Sequence, residues 1–404
     1  MTRVDQVVLG AGVLLLAAQG EAGPRRATLE GRAVLPANTF APGPVSGAYL
    51  GGAPINGVSV PFASQPVQGF SAVNETGSPG EFWAMPDNGY GRKNNSADFN
   101  LRVYRIRPEF KTAQGGTGGI VVLGWVELSD PDRRIPFPIV NEDTADRVLT
   151  GGDFDVESMR VDHDGGFWFG DEFGPFILHT DAGGRMLEGP FSLAGVKSPS
   201  NPLLAPGEAP TIPNSRGFEG MALSRDGKSL YPMLEGALLA DPDKQRRFIY
   251  QFDLESRSYT GEVFPYRTHA AGNSAAELVA LDQHRFLVVE RDALAGVRAA
   301  FKKVFLVDLR EVDGAGYLAE REVLDLLDID DPDLISRPGR PGDVGLGEHF
   351  TFPYETIEAL LPLDAERVLV MNDNNYPFSA GRNPSLPDDN EAIVVRVHSL
   401  KSAR

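Results

Sequence analysis

The pattern of apolar and polar positions along this chain predicts short β-strands rather than helices. Apolar and polar residues alternate over many short runs, such as those around Val103 and Ile249, and this alternation is typical of half-buried strands. Helical spacing is confined to brief stretches, notably Leu294 to Lys303 and Val323 to Leu327. The sequence therefore predicts an all-β protein.

One hairpin pattern returns five times along the chain. Each copy starts with an apolar strand, whose first residue is usually an acid. A polar turn and a second apolar strand follow, and the copy ends with acidic or amide residues. The clearest copy begins at Glu157 and ends at Asp171 and Glu172. Such self-similarity is the sequence signature of a repeat architecture. The other copies run from Gly69 to Asn88, from Glu219 to Glu235, from Glu277 to Asp292 and from Glu358 to Asn374.

A third apolar strand follows each hairpin, and three such strands with an outer fourth make one blade of a β-propeller. At roughly 40 to 60 residues for each four-stranded antiparallel blade with its loops, the chain length predicts six blades, with seven as the alternative. The strand from Ala27 to Leu35 has no hairpin of its own. We expect it to join the last blade, because ring closure removes exposed strand edges. Residues 23–404 are thus predicted to form a single propeller domain.

The first residues have the layout of a secretory signal. Arg3 precedes an apolar run from Val7 to Ala18, and small residues follow up to Gly20 and Ala22. We predict a signal peptide over residues 1–22; a buried helix is the alternative. No later run approaches the roughly 18 apolar residues that span a bilayer. We therefore expect a mature protein without an integral membrane segment, either periplasmic or secreted.

Composition and charge limit the classes of partner. The chain of 404 residues carries a formal net charge of −18, which opposes binding to nucleic acid and favours cations. Its 45 glycines and 31 prolines agree with frequent turns. With no cysteine, thiolate metal sites, thiol nucleophiles and disulfides are excluded. We expect a monomer whose partner is a small molecule.

The acidic residues of the hairpins are the candidate functional residues. The innermost strand of every blade starts near the propeller axis, so the acids at the hairpin starts are predicted to converge on a central funnel. Their partners at the hairpin ends would stand just outside. The starting acids are Glu157, Glu219, Glu277 and Glu358, and the partners are Asp171, Glu172, Glu235, Glu290 and Asp373.

Several like charges in a partly enclosed funnel repel one another, and a divalent cation removes the conflict. Ligands that are all oxygen favour a hard cation, and flexible carboxylate and amide ligation favours Ca²⁺ over Mg²⁺. Amide oxygens of Asn88, Asn372, Asn374 and Asn375 would add neutral ligands. The alternative interpretation is that the acids cap strand ends or pair with Arg160, Arg216, Arg291 and Arg382.

Familiar catalytic motifs are missing from the sequence. It contains no G-x-S-x-G elbow, no P-loop and no G-x-G-x-x-G. A serine acyl-transfer mechanism therefore has no support in the sequence.

Four motifs resemble those of the phytase-like esterase family of bacterial proteins, in order and in spacing. They are Asp153-Phe-Asp-Val-Glu157, Gly170-Asp171-Glu172-Phe-Gly174-Pro175, Arg216-Gly-Phe-Glu219-Gly-Met, and Asn372-Asp-Asn-Asn375. The resemblance implies a calcium-dependent propeller hydrolase that acts on phosphate esters. A calcium-dependent lactonase or carboxylic ester hydrolase, and a calcium-stabilised propeller that only binds, remain as alternatives.

On this resemblance we expect three sets of site residues. Glu157, Glu219 and Asp171 are the predicted catalytic residues. Those predicted to bind substrate are Arg216, Arg291, Arg382 and Asn88. Those predicted to bind the metal are Glu157, Asp171, Glu172, Glu219, Glu277, Glu290, Glu358, Asp373 and Asn374.

Overall fold

The computed structural model of the protein describes residues 26–398 and 400. The predicted signal peptide, residues 1–22, lies outside the described residues. Within them the helical content is one turn of 3₁₀-helix, Gly296–Arg298, and no helix is long and apolar enough to cross a membrane. This turn lies in the stretch from Leu294 to Lys303, where helical spacing was noted. In the other such stretch, Val323 to Leu327, Val323 lies in a strand.

The described residues begin with a strand that has no hairpin of its own, a short ribbon and then a four-stranded antiparallel blade. The first strand is β1 (Ala27–Leu35), and the ribbon is β2 (Phe40–Ala41) with β3 (Gln65–Pro66). The first blade is β4 (Ala72–Glu75), β5 (Phe82–Met85), β6 (Arg102–Glu109) and β7 (Gly119–Glu127).

The next three blades are separate four-stranded antiparallel sheets. The second is β8 (Val156–Val161), β9 (Phe167–Asp171), β10 (Phe176–Thr180) and β11 (Phe191–Ser192). The third is β12 (Phe218–Leu223), β13 (Ser229–Leu234), β14 (Arg246–Asp253) and β15 (Ser258–Arg267). The fourth is β16 (Ser274–Ala280), β17 (Arg285–Arg291), β18 (Lys302–Val312) and β19 (Leu318–Asp325).

The last blade joins the two ends of the described chain. After the short strands β20 (Ile329–Asp330) and β21 (His349–Phe350) come β22 (Thr356–Pro362), β23 (Arg367–Asp373) and β24 (Asn390–Arg396). The first strand, β1, pairs antiparallel with β24, from Thr28 opposite Arg396 to Leu35 opposite Asn390. The structure therefore confirms the prediction that the strand from Ala27 to Leu35 joins the last blade and closes the ring.

The described residues form an all-β propeller of four-stranded antiparallel blades, as predicted, but with five blades instead of six or seven. The inner strands β4, β8, β12, β16 and β22 contact one another in a closed ring. The length-based count was wrong because long connections without regular strands, such as residues 128–155 and 193–217, take up the residues assigned to a sixth blade. The five hairpin repeats match the five blades.

The core lies between adjacent blades. Strands β9, β10 and β13 are buried along their whole length, as expected for strands packed on both faces. Large rings fill the space between sheets: Trp83 of the first blade meets Phe167 of the second edge to face, with ring centroids 5.4 Å apart. These contacts fix the angle between blades and hold the inner strands around the axis.

Candidate functional site

A β-bulge marks the start of the inner strand in four of the five blades, and in three of them the bulge contains a glutamate. In β8 the register shifts between Val156 and Ser158, so that Glu157 is the extra residue. The same shift occurs at Glu358 in β22 and at Glu219 with Gly220 in β12. A bulge re-aims the side chain of its extra residue. The bulges thus bring three glutamates together on the axis.

Further acids reach the same place from the hairpin ends and from the chain just before β8. Carboxylate oxygens of Asp87, Asp155 and Glu157 lie within 4.8 Å of one another, and so do those of Glu157, Glu172 and Glu219. Glu157 belongs to both groups and links them. We call Asp87, Asp155, Glu157, Glu172 and Glu219 the axial acids.

Asp373, at the end of β23, is close to this group. Its approach depends on Gly69, which has a φ of 48°, and whose Cβ, if present, would lie 2.4 Å from Asp373 Oδ1 and 3.7 Å from Asp87 Oδ1. Any side chain at this position would therefore displace the carboxylate. The glycine that opens the first hairpin repeat has this steric role.

The fourth blade departs from the pattern in a way that places a cation in the centre. Its bulged residue is Ala276, and Arg291 stands where other blades carry Glu172, Glu235 or Asp373. The Arg291 guanidinium lies 2.7 Å from Glu358, 3.6 Å from Glu219 and 3.7 Å from Glu235. It is buried, and so it serves as an internal counterion for one side of the site.

Burial and mutual repulsion make the axial acids hard to ionise. Burial is the largest cause, and neighbouring carboxylates add to it, so that the pKa values of Asp155, Glu157, Glu172 and Glu219 lie well above their usual range. For Asp87, burial raises the pKa to about 7. These groups would share protons near neutral pH unless a cation takes the place of those protons.

The charge in the centre is unevenly compensated. On one side, burial opposes ionisation of Glu235, but the guanidinium groups of Arg216 and Arg291 outweigh it and lower the pKa of this carboxyl. On the other side, no basic side chain among residues 26–398 forms an ion pair with Asp87, Asp155, Glu157 or Glu172 within 4.0 Å.

The uncompensated side fits a divalent cation. Oxygens that all lie within 4.8 Å of one another can surround one Ca²⁺ at the usual distances of about 2.3 to 2.6 Å. Glu172 Oε1 is buried and has no hydrogen-bond partner, which is costly for a carboxylate unless an ion or water satisfies it. The donors are all oxygen, as a hard cation requires.

Two predicted metal ligands of the fourth blade lie outside this centre. Glu277 comes one residue after the bulge and pairs with Arg160 of β8 at 2.9 Å; burial raises its pKa to about 7 against the pull of that arginine. Glu290, next to Arg291 in β17, accepts bonds from Tyr266, His269 and Asn273. Glu277 is displaced because Ala276 occupies the bulge, and Glu290 is displaced because adjacent residues of a strand point to opposite faces.

Other predicted residues are held by backbone groups. Asp171 accepts the amides of Asp155 and Gly174, and burial raises its pKa to about 7. Asn374 accepts the amide of Gly69 and donates to the carbonyl of Asp388, while Asn88 accepts the amides of Tyr90 and Gly91. These side chains shape the loops around the centre.

The three arginines predicted to bind substrate have different positions. Arg291 is the buried counterion described above. Arg216 is half-exposed at the rim and contacts Glu235. Arg382 is buried in the last blade, 2.9 Å from Glu391, and its remaining nitrogens donate to carbonyls such as that of Val344. The structure therefore brings Arg216 and Arg291, but not Arg382, to the centre.

Sequence reasoning missed two members of the axial acids, Asp87 and Asp155. Asp87 ends the degenerate first hairpin at the position of Glu172 in the second, so alignment of the repeats would have found it. Asp155 stands two residues before Glu157, and the alternation of an extended chain places both on one face. This spacing of Asp155 and Glu157 was visible in the motif Asp153-Phe-Asp-Val-Glu157.

Fold and site define a five-bladed propeller with a buried acidic centre, and comparison with known proteins agrees with the sequence motifs. The profile of the phytase-like family, described as esterase-like activity of phytase, matches residues 65–376. Because this match covers more than half of the chain, the protein belongs to the phytase-like family.

One curated relative is a protein of Arthroderma benhamiae whose name is "Uncharacterized secreted protein". It is 24% identical over 290 residues, which are 54% of this chain and 56% of the relative. The chain thus matches little more than half of that relative's length.

Several solved structures are similar at low identity. Regucalcin of Agrobacterium tumefaciens, a calcium-binding protein, has a TM-score of 0.37 and 15% identity, over 88% of this chain and 95% of that chain. A GH43 β-1,3-galactosidase has a TM-score of 0.44 and 9% identity, over 89% and 59%. Virginiamycin B lyase of Staphylococcus aureus has a TM-score of 0.34 and 10% identity, over 81% and 94%.

Proposed function

We propose that this member of the phytase-like family is an exported, calcium-dependent hydrolase of phosphoric esters. The observation that carries the proposal is the pair of carboxylate groups that share the half-buried Glu157, one with Asp87 and Asp155 and the other with Glu172 and Glu219. Among the described residues, Asp87, Asp155, Glu157 and Glu172 have no basic ion-pair partner. A site of this kind attracts a divalent cation, and the family suggests an ester substrate. Export is supported by the leader pattern of residues 1–22 and by the secreted relative.

The axial acids would divide the work between them. Asp87, Asp155, Glu157 and Glu172 would hold the cation, which would stabilise negative charge on phosphoryl oxygens and lower the pKa of a water molecule. Glu219 lies between this group and Arg291, so its raised pKa suits it to take up or deliver a proton during hydrolysis.

The arginines and Asp171 have supporting roles in this proposal. Arg216 is half-exposed beside Glu235 and is available to contact phosphate oxygens at the rim. Arg291 keeps Glu358 and Glu235 in place next to the reacting groups. Asp171 holds the turn that presents Glu172, because both of its oxygens accept backbone amides.

Metal analysis and phosphate release test the proposal together. The purified protein should contain stoichiometric calcium, release phosphate from small phosphomonoesters, lose this activity with a chelator and regain it with CaCl₂. Asp155→Asn should lower calcium affinity by at least about tenfold. Asp226→Asn, a change in the exposed hairpin turn of the third blade, should leave both properties unchanged.

Each other outcome points to a different function. Calcium binding with turnover of lactones or carboxylic esters, but not of phosphate esters, would identify the alternative hydrolase. Calcium that raises the melting temperature without any ester turnover would identify a propeller that only binds. Absence of metal and of phosphate release in the full protein would sink the proposal.

A further inference from the structure

A cavity opens on the third blade, next to the centre that contains the axial acids. It has a volume of about 260 Å³ and reaches Glu235, whose carboxylate also faces Arg291 in the centre. Its polar lining is mainly basic, and we call it the basic pocket. The side chains that give it this character are Arg216, Lys244, Arg247, Asn273 and Ser274.

Arg247, at the start of β14, is the most unusual residue of the basic pocket. It is buried, with 3% of its surface exposed, and its terminal nitrogens donate only to the carbonyls of Lys244, Arg246 and Asn273. Its Nε is buried with no hydrogen-bond partner. Within the described chain, no carboxylate forms an ion pair with it. A buried guanidinium without a counterion is costly.

Two further cations share the basic pocket. Lys244 is exposed, and its Nζ donates to the carbonyls of Leu238 and Leu239, without a carboxylate partner among the ion pairs of the described residues. Arg216 crosses the rim next to Gly236, where a Cβ would lie 2.6 Å from Arg216 Cβ. Only Arg216 of the three cations is neutralised, by Glu235.

Two cations of one pocket, Arg247 and Lys244, thus lack an ion-pair partner among the described residues, in a chain whose net charge is −18. Burial is the main cause that lowers the pKa of Arg247; the Glu235 carboxylate opposes it, and the nearby Arg216 adds a smaller lowering. Such a pocket is stabilised by any group that brings negative charge and hydrogen-bond acceptors to the free guanidinium edge.

We propose that the basic pocket binds an acidic group, a phosphate or a carboxylate, carried by the substrate next to the ester that is cleaved. The pocket lies against the axial acids through Glu235, so one small molecule can reach both. The assignment to the substrate rests on the proposed function, whereas anion binding itself does not. The preferred substrates are then esters with a second anionic group.

Calorimetric titration with inorganic phosphate in the presence of a chelator tests the pocket without metal or turnover. The wild-type protein should bind phosphate, Arg247→Gln should weaken binding at least tenfold and Lys244→Gln several-fold. Arg298→Gln, a change of an exposed arginine in the 3₁₀ turn, is the matched control and should bind like wild type. If Arg247→Gln does not fold, the Lys244→Gln result decides. Equal phosphate affinity in wild type and Lys244→Gln would overturn the pocket.

Turnover of a hexose bisphosphate and of the corresponding monophosphate separates a substrate group from a free anion. We expect kcat/KM to favour the bisphosphate in wild type, with this preference reduced at least fivefold by Lys244→Gln. Phosphate binding with no bisphosphate preference would overturn the assignment to substrate. If neither ester is hydrolysed, the proposed function fails, and the calorimetry still decides whether the pocket binds anions.

Discussion

At the scale of single residues, Arg291 divides the centre into two halves with different needs. It is the counterion for the side formed by Glu219, Glu235 and Glu358, and the proposed cation would bind to the opposite carboxylates, for which the described residues supply no such partner. The fourth blade, which carries Arg291 where other blades carry an acid, therefore contributes to the charge balance of the centre.

Removal of this charge should make the protein more dependent on calcium. In Arg291→Gln, three buried carboxylates lose their counterion, which costs about 3–5 kcal/mol in the metal-free protein. We expect a lower melting temperature without calcium and a larger calcium-induced increase than in wild type. Scanning calorimetry with and without CaCl₂ measures both. An increase equal to that of wild type would contradict this account, and Arg298→Gln serves as the control.

The raised pKa values predict an unusual pH dependence of stability without metal. Asp87 and Asp171 have pKa values of about 7 in the folded protein and ordinary ones when unfolded. Between these limits the folded state holds more protons on these two groups, so they make the free energy of unfolding fall as pH rises from about 4 to 7.

Calcium should remove this loss, because cation binding displaces the shared protons. The calcium-induced rise in melting temperature is therefore expected to be larger at pH 8 than at pH 5, by roughly 3 °C or more. In Asp155→Asn the difference between the two pH values should shrink. The same calcium effect at both pH values would argue against a proton-sharing centre.

At the scale of elements, the distance between neighbouring inner strands determines whether the axial acids can lie close together. Gly220 of β12 lies against β16, where a Cβ would be 2.7 Å from the amide nitrogen of Leu278 and 2.8 Å from the carbonyl carbon of Glu277. The bulge that carries Glu219 thus needs a glycine beside it to let the two strands approach.

Gly220→Ala should accordingly destabilise the protein by about 1–3 kcal/mol, because two backbones would have to move apart. Gly119→Ala in β7 meets only Thr117 Oγ1, at 3.7 Å, and should be close to neutral. Urea unfolding of both variants measures the difference. Equal stability of the two would mean that the inner strands have more freedom than their spacing indicates.

The hairpins were predictable from the sequence, and the bulges were not. Alternation and turn residues mark each hairpin, and their recurrence predicts a propeller with acids near its axis. A one-residue shift of register changes which side chain faces the centre, and Glu157 and Glu277 begin similar motifs. Only the strand pairing separates them, since the extra residue is Glu157 itself in β8 but Ala276 in β16.

At the scale of the whole molecule, a buried ionic group joins the ends of the described chain. Glu391 of β24 lies 2.8 Å from Arg32 of β1 and 2.9 Å from Arg382, and Tyr354 donates to it at 2.7 Å. Burial opposes ionisation of Glu391, but the two arginines outweigh it and lower its pKa to about 2.

Glu391→Gln should therefore cost about 3–5 kcal/mol of unfolding free energy, because two buried guanidinium groups lose their counterion. Asp364→Asn, which breaks the exposed pair with Arg367, should have almost no effect. Equilibrium unfolding in urea compares them. A loss in Glu391→Gln no larger than that in Asp364→Asn would show that the ionic group is unimportant for closure.

The pairing of β1 with β24 also sets the order of events during synthesis. The fifth sheet stays incomplete until the last strand has left the ribosome, because its outer strand comes from the other end of the described chain. A chain that lacks β24 leaves β1 and β23 without their shared antiparallel partner, and such unpaired edges invite association with other chains. The ring can therefore close only after β24 has been made. For the export proposed above, this late closure would keep the chain in the open form that passage through a translocation pore requires.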